Sequence, residues 1–224
     1  MMRRTRLSRT TAVGAMLLAP ALALSGCGGS NQPQVAHTPS PTVPTPSVDV
    51  PSGVSLTTPG TKLSLGESAT VPYQPNQKRG TVLKLTVTGI TRATMKDFAI
   101  YVLDKRAKAS TPYYVQVKVA NVGTGDVGGT DVPLWAVNQD NTLIHSSSFT
   151  NDFKRCPSSS LPKRFAPHAK AKTCLVYLVP KHGTMTAVSF RPLQEFQPIE
   201  WTGKIVPEHP KASHTSHKSK KKKS

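Results

Sequence analysis

Reactive chemistry in this 224-residue chain is concentrated in three cysteines, Cys27, Cys156 and Cys174. A thiolate can attack a carbonyl, ligate a soft metal or accept an acyl chain, whereas two thiols in an oxidising compartment close a disulfide. The compartment is therefore the first question. The chain opens with the basic stretch MMRRTRLSRT, continues with the apolar run AVGAMLLAPALAL and reaches small residues before Cys27. That is the order of a secretory signal. The apolar run falls short of the roughly 20 residues that span a bilayer as a helix, so residues 1–26 are expected to be a cleaved leader. An exported body with two remaining cysteines should pair them. A Cys156–Cys174 bond would close a loop of about 18 residues and contribute roughly 3 kcal/mol in the chain-entropy account. It would pin a proline-broken surface loop to the strand that begins near Cys174.

Cys27 has a different setting. The tetrapeptide Leu24-Ser25-Gly26-Cys27, followed by Gly28-Gly29, resembles the lipobox of bacterial lipoproteins. The resemblance implies a lipoprotein signal peptide over 1–26 and a diacylglyceryl group on the Cys27 thiol. It also implies cleavage just before Cys27 and residence on the extracytoplasmic face of the bacterial cell membrane. Two acyl chains anchor stably where one is marginal.

These cysteines need elements to carry them, and the chain divides by composition. Residues 27–60 hold the anchor and a Pro/Thr/Ser-rich linker without apolar periodicity, which cannot bury enough surface to offset ordering entropy. It reads as a disordered stalk. Residues 61–206 change to short alternating runs separated by turn formers. In TVLKLTVTGI, Leu83, Leu85 and Val87 share one face, with Lys84, Thr86 and Thr88 on the other. Tyr113, Val115, Val117 and Val119 alternate in the same way with Tyr114, Gln116 and Lys118. Further strands are expected over Leu63–Tyr73, Phe98–Leu103, Leu134–Asn138, Leu143–His145, Thr173–Val179, Thr186–Arg191 and Trp201–Ile205. Asn138, Asp140 and Asn141 suit a hairpin turn. No helical spacing stands out, so the expected fold is all-β: an immunoglobulin-like antiparallel β-sandwich of about seven to nine strands. Residues 207–224 form a disordered Lys-rich tail ending in Lys220, Lys221, Lys222 and Lys223.

Enzymatic motifs are incomplete. Lys172-Thr173-Cys174 with Arg191 resembles part of the sortase arrangement, but Lys170 and Ala171 stand where that motif has threonine and leucine, and an oxidised sulfur cannot attack. His182-Gly183-Thr184 resembles a fragment of L,D-transpeptidases, whose nucleophilic cysteine lies downstream where this chain has none. Ser146 to Ser148, Asp152 and His168 sit in no nucleophile elbow. His145, His168 and His182 are scattered, and His209, His214 and His217 lie in the tail without a compact ligand set. No catalytic residue, metal or cofactor is expected. Trp135 and Trp201 are read as packing residues.

The run YYVQVKVANVG, the step FAPHAKAKTCLVYLVP and the closing VSFRP resemble an immunoglobulin-like domain family of unknown function found in Gram-positive surface lipoproteins. The matching positions are Val117, Val119, Asn121 and Gly123, then Val179-Pro180. The turn before the Cys174 strand carries Pro167-His168-Ala169 where the family pattern has glycine. The resemblance implies a sandwich of seven strands or a close variant, and no reaction.

The net charge of +18 directs the functional reading. Arginines at the N-terminus and lysines at the C-terminus carry part of it, and what lies between is still basic. Such a chain suits anionic lipid or cell-wall polymer, with no specific nucleic acid implied. The leading expectation is a non-enzymatic binding or interaction module that meets another envelope protein through the loop between the two cysteines. The candidate surface there is Lys154, Arg155, Lys163, Arg164, Lys170 and Lys172, set against Asp152. The alternative is a basic structural protein that retains anionic envelope polymers near the membrane, with Lys220 to Lys223 as further polyanion contacts.

Overall fold

A computed structural model describes residues 48–149, 153–157 and 160–207. Residues 1–26, expected to be a leader, Cys27, expected to be the acyl acceptor, the first part of the expected linker, Asp152, and the C-terminal residues with Lys220, Lys221, Lys222 and Lys223 lie outside the described residues.

Alternation in the sequence becomes strand pairing. Leu83, Leu85 and Val87 of β3 (Arg79–Arg92) are completely buried, while Lys84 and Thr88 are exposed. In β4 (Thr111–Asn121), Tyr113, Val115, Val117 and Val119 point inward. Antiparallel register sets Leu85 opposite Val119 and Val87 opposite Val117, and then Val115 opposite Leu175 and Tyr113 opposite Tyr177 of β7 (Lys170–Val179). One sheet is therefore β3-β4-β7, with two partners along the free edge of β3. β2 (Ser68–Asn76) pairs antiparallel with its first half, and β10 (Ile205–Pro207) pairs parallel with Ile90 to Arg92.

The other sheet runs β1 (Lys62–Ser64), β9 (Ile199–Thr202), β8 (Met185–Phe190), β5 (Trp135–Asn138), β6 (Leu143–Ile144). Its Trp201, Ile199, Val188, Phe190 and Ala136 share one core with the inward residues of the first sheet. The result is the expected all-β, immunoglobulin-like sandwich. It has ten strands among the described residues, three of them only two or three residues long.

Two expected strands each divide between the sheets. Leu63–Tyr73 breaks at Gly66, whose φ of 97° belongs to glycine, leaving β1 in one sheet and β2 in the other. Trp201–Ile205 breaks at Gly203, where an added Cβ would press on the Leu65 side chain, so β9 and β10 also belong to different sheets. The hairpin forms as expected: Asn138 Oδ1 accepts from the Asp140 and Thr142 amides, and Asn141 takes φ 55°.

The expected strand Phe98–Leu103 does not form. Thr94 is the N-cap of a 3-10 turn over Met95–Phe98, its amide donating to the Asp97 carboxylate, and a single α-turn, α1 (Lys105–Lys108), follows with Asp104 as its cap. Phe98 is buried and Tyr101 and Leu103 pack beside it, a spacing that fits a coil draped over a sheet. Upstream, Thr57 exchanges two hydrogen bonds with Thr70 and the Gly60 amide donates to Gln197, so contacts of the sandwich reach before residue 61.

Asn121 is the main polar tie. Its buried Oδ1 accepts from Thr81 Oγ1 at 2.6 Å and the Gly123 amide at 3.1 Å; its Nδ2 donates to the Gly125 and Phe165 carbonyls at 2.7 and 2.8 Å. All four hydrogen-bonding capacities of the amide are used. His168, standing where the resembled family has glycine, adopts φ 67°, a left-handed conformation that histidine tolerates better than most residues.

Candidate functional site: a lysine face beside a disulfide-stapled cap

The outward face of β3-β4-β7 has two halves. In the first, register places Lys84, Ala120 and Lys170 in one cross-strand row, and Thr86, Lys118 and Lys172 in the next. Residues directly opposite one another point to the same side of a sheet, and neighbouring strands lie about 4.8 Å apart. Four exposed lysines thus share one face, lining a shallow cavity of about 360 Å³ with Thr86 and Ala120. Lys118 and Lys172 are directly opposed, an arrangement that costs folding energy unless something neutralises it. The ion pairs among the described residues are Lys62 with Glu200 and Arg155 with Asp97, so none of these four lysines has a described carboxylate within 4 Å.

The second half is apolar and covered. Tyr114, Cys174 and Val176 continue the same face and are buried beneath Ala93, Phe98, Phe153 and Cys156. Phe98 stacks on Phe153 at 4.8 Å and on Phe149 at 5.7 Å. Cys156 and Cys174 form the disulfide, with Cα atoms 5.1 Å apart. Cys174 lies in the middle of β7 rather than at its start, with Lys172 on one side of it and Val176 on the other. Beside the rings, Asp97 is 5% exposed. Its carboxylate accepts from Tyr114 Oη at 3.0 Å and the Thr94 amide at 3.3 Å, and pairs with Arg155 Nε at 3.2 Å. Donors of this kind offset part of the cost of taking a carboxylate out of water.

The six basic residues singled out around the disulfide loop therefore do not form one surface. Lys170 and Lys172 join the lysine face. Arg155 is engaged by Asp97, and Lys154 is exposed in the turn closed by the Cys156 amide on the Phe153 carbonyl. Lys163 and Arg164 are exposed beside Gly128, whose missing side chain admits the Lys163 carbonyl. There, Asp126 Oδ1 accepts from the Gly128 and Phe165 amides at 2.8 and 2.9 Å. These two hydrogen bonds, with Arg164 and Arg79 adding attraction, hold the Asp126 carboxyl below its ordinary range. The loop is also less of a surface feature than its prolines suggest, because Leu161 and Phe165 are buried in the main core.

Lys84 and Lys118 were absent from the expected surface, although both stand at the polar positions of the two clearest alternating runs. Trp201 is fully buried, its indole N–H donating to the Glu67 carbonyl, and Trp135 meets His145 edge-on at 5.0 Å.

These features define an immunoglobulin-like β-sandwich with a cationic strand face. No family model matches the chain, and no curated protein matches it. Among solved structures it is similar to MPT63, a secreted protein from Mycobacterium tuberculosis, at 14% identity and a TM-score of 0.45, over 63% of this chain and 96% of that one.

Proposed function

We propose that this protein is an exported, non-enzymatic envelope module, anchored through Cys27, that holds an anionic phosphodiester polymer across Lys84, Lys118, Lys170 and Lys172. The observation carrying the reading is four lysines in two adjacent cross-strand rows, Lys118 directly opposite Lys172, with no described counter-carboxylate. Repeating phosphates along a flexible chain would neutralise the lysines in succession, releasing counterions as they bind. An enclosed site is not needed for such a ligand, and the shallow form of the cavity suits a strand lying across the sheet. The leader and the lipobox support the anchored, extracytoplasmic setting. Both body cysteines are consumed in the disulfide, which supports a binding role over thiol catalysis.

The test is binding of poly(glycerol phosphate) over a salt series, comparing the parent with Lys84→Gln/Lys118→Gln/Lys170→Gln/Lys172→Gln. At roughly 0.7 per neutralised phosphate for a flexible strand, the slope of log K against log salt should fall by about two to three. An unchanged slope refutes the site. Saturable, salt-insensitive capture of a single envelope protein by parent and variant alike would instead favour a protein-interaction module.

A further inference from the structure

We infer that the loop between β3 and β4 is a second, independent docking element, which inserts Ile100 and Val102 into the interface of an anionic lipid bilayer. Ile100 is 83% exposed and Val102 103%, against 1% for Phe98 just before them. Isolated exposed aliphatics are ordinary on a soluble surface, but these two are held outward by their neighbours. Phe98 is buried in the ring cluster, and Tyr101 and Leu103 pack against it, so the residues between them must project away. The loop is fastened along its length. The Tyr101 amide donates to Phe98, Asp104 caps α1, and the Ala109 carbonyl accepts from the His182 amide at 2.8 Å.

Charge selects the partner. Exposed Lys96, Lys105, Arg106 and Lys108 flank the two aliphatic side chains, and the nearby acids are engaged: Asp97 with Arg155, and Asp104 with the Ala107 amide. An apolar point ringed by cations is the composition that settles at an anionic membrane interface. Position agrees with this. The described chain leaves the sandwich at Pro207, paired with Arg92, so the lysine-rich C-terminal sequence is tethered to the same end as the loop.

The experiment uses the full chain on vesicles of phosphatidylcholine with and without phosphatidylglycerol, brominated in their acyl chains. Ile100→Trp should be quenched on the anionic vesicles and much less on the neutral ones. Adding Val102→Asp should remove most of that quenching, and Lys96→Gln/Lys105→Gln/Arg106→Gln/Lys108→Gln should remove its dependence on phosphatidylglycerol. The Gln variant of the four face lysines should keep the quenching, which separates failure of this inference from failure of the polymer reading. Absence of quenching in vesicle-bound protein with an intact disulfide by mass overturns the proposal. So does quenching that survives Val102→Asp.

Discussion

Replacing both half-cystines, Cys156→Ala/Cys174→Ala, tests how the cap is held. The bond closes 18 residues, and loop-closure entropy for that length is worth about 3 kcal/mol at 25 °C. The sulfurs are also packed: Cys156 is 1% exposed and Cys174 5%, both within the ring cluster, so truncation leaves small voids worth about 1 kcal/mol more. For a domain near 160 residues, each kcal/mol moves the midpoint by about 2–4 °C, so thermal unfolding followed by circular dichroism should show a Tm about 10 °C lower. Hydrogen exchange should locate the effect. The Ser147 amide, which donates to the Val176 carbonyl at 2.7 Å and ties the cap to β7, should lose protection first. Val117, deep in the β3-β4-β7 ladder, should stay protected until global unfolding. Parent protein treated with reductant should behave like the variant. A Tm within about 2 °C of the parent, or equal loss of protection at Ser147 and Val117, would refute the argument that the bond staples a separable cap.

Two further outcomes follow from the polar ties. Asn121→Ala removes the acceptor for Thr81 and Gly123 and the donor for Gly125 and Phe165, and water entering the void can satisfy only some of them. Denaturant unfolding should show a loss of about 2–4 kcal/mol, and a loss below about 1 kcal/mol would show that the four bonds are not the main tie. Asp126 has a folded pKa below its ordinary value of 3.8, so the stability it contributes is complete above that value and is lost as pH falls through the lower, folded one. In an acid titration, amide exchange at Gly128 and Phe165 should rise only below the ordinary carboxylate range, and in Asp126→Asn it should be raised already at neutral pH. A rise beginning near pH 5 would contradict the depressed pKa.

The sequence makes individual strands legible and their assignment to sheets illegible, for a physical reason. TVLKLTV and YYVQVKV announce themselves because burying one face imposes a period of two, and the structure buries the residues that period selects. Gly66 and Gly203 interrupt runs whose two halves both alternate correctly, so nothing in the periodicity says that each half pairs in a different sheet. Phe98–Leu103 misleads because Phe98, Tyr101 and Leu103 pack on the outside of a sheet while Ile100 and Val102 face solvent, so the segment is apolar without being a strand. The lysine face was half visible. Lys170 and Lys172 are close to Cys174 in sequence, whereas Lys84 and Lys118 reach the same face only through the register of three strands, which is a tertiary property.

That register also explains why the cap and the lysines share one sheet face. β4 and β7 present Tyr114, Cys174 and Val176 outward, an apolar patch that a bare sandwich would leave in water. The inserted loop with Phe98 and the turn with Phe153 cover it, and the disulfide fastens that turn at the boundary where apolar residues give way to lysines. Gln116 stands at the same boundary, its side-chain amide donating to Cys174 Sγ at 3.2 Å. The cap therefore has two consequences. It covers an apolar patch of the kind that drives non-specific association, and it ends the cationic rows at Cys174, two residues beyond Lys172.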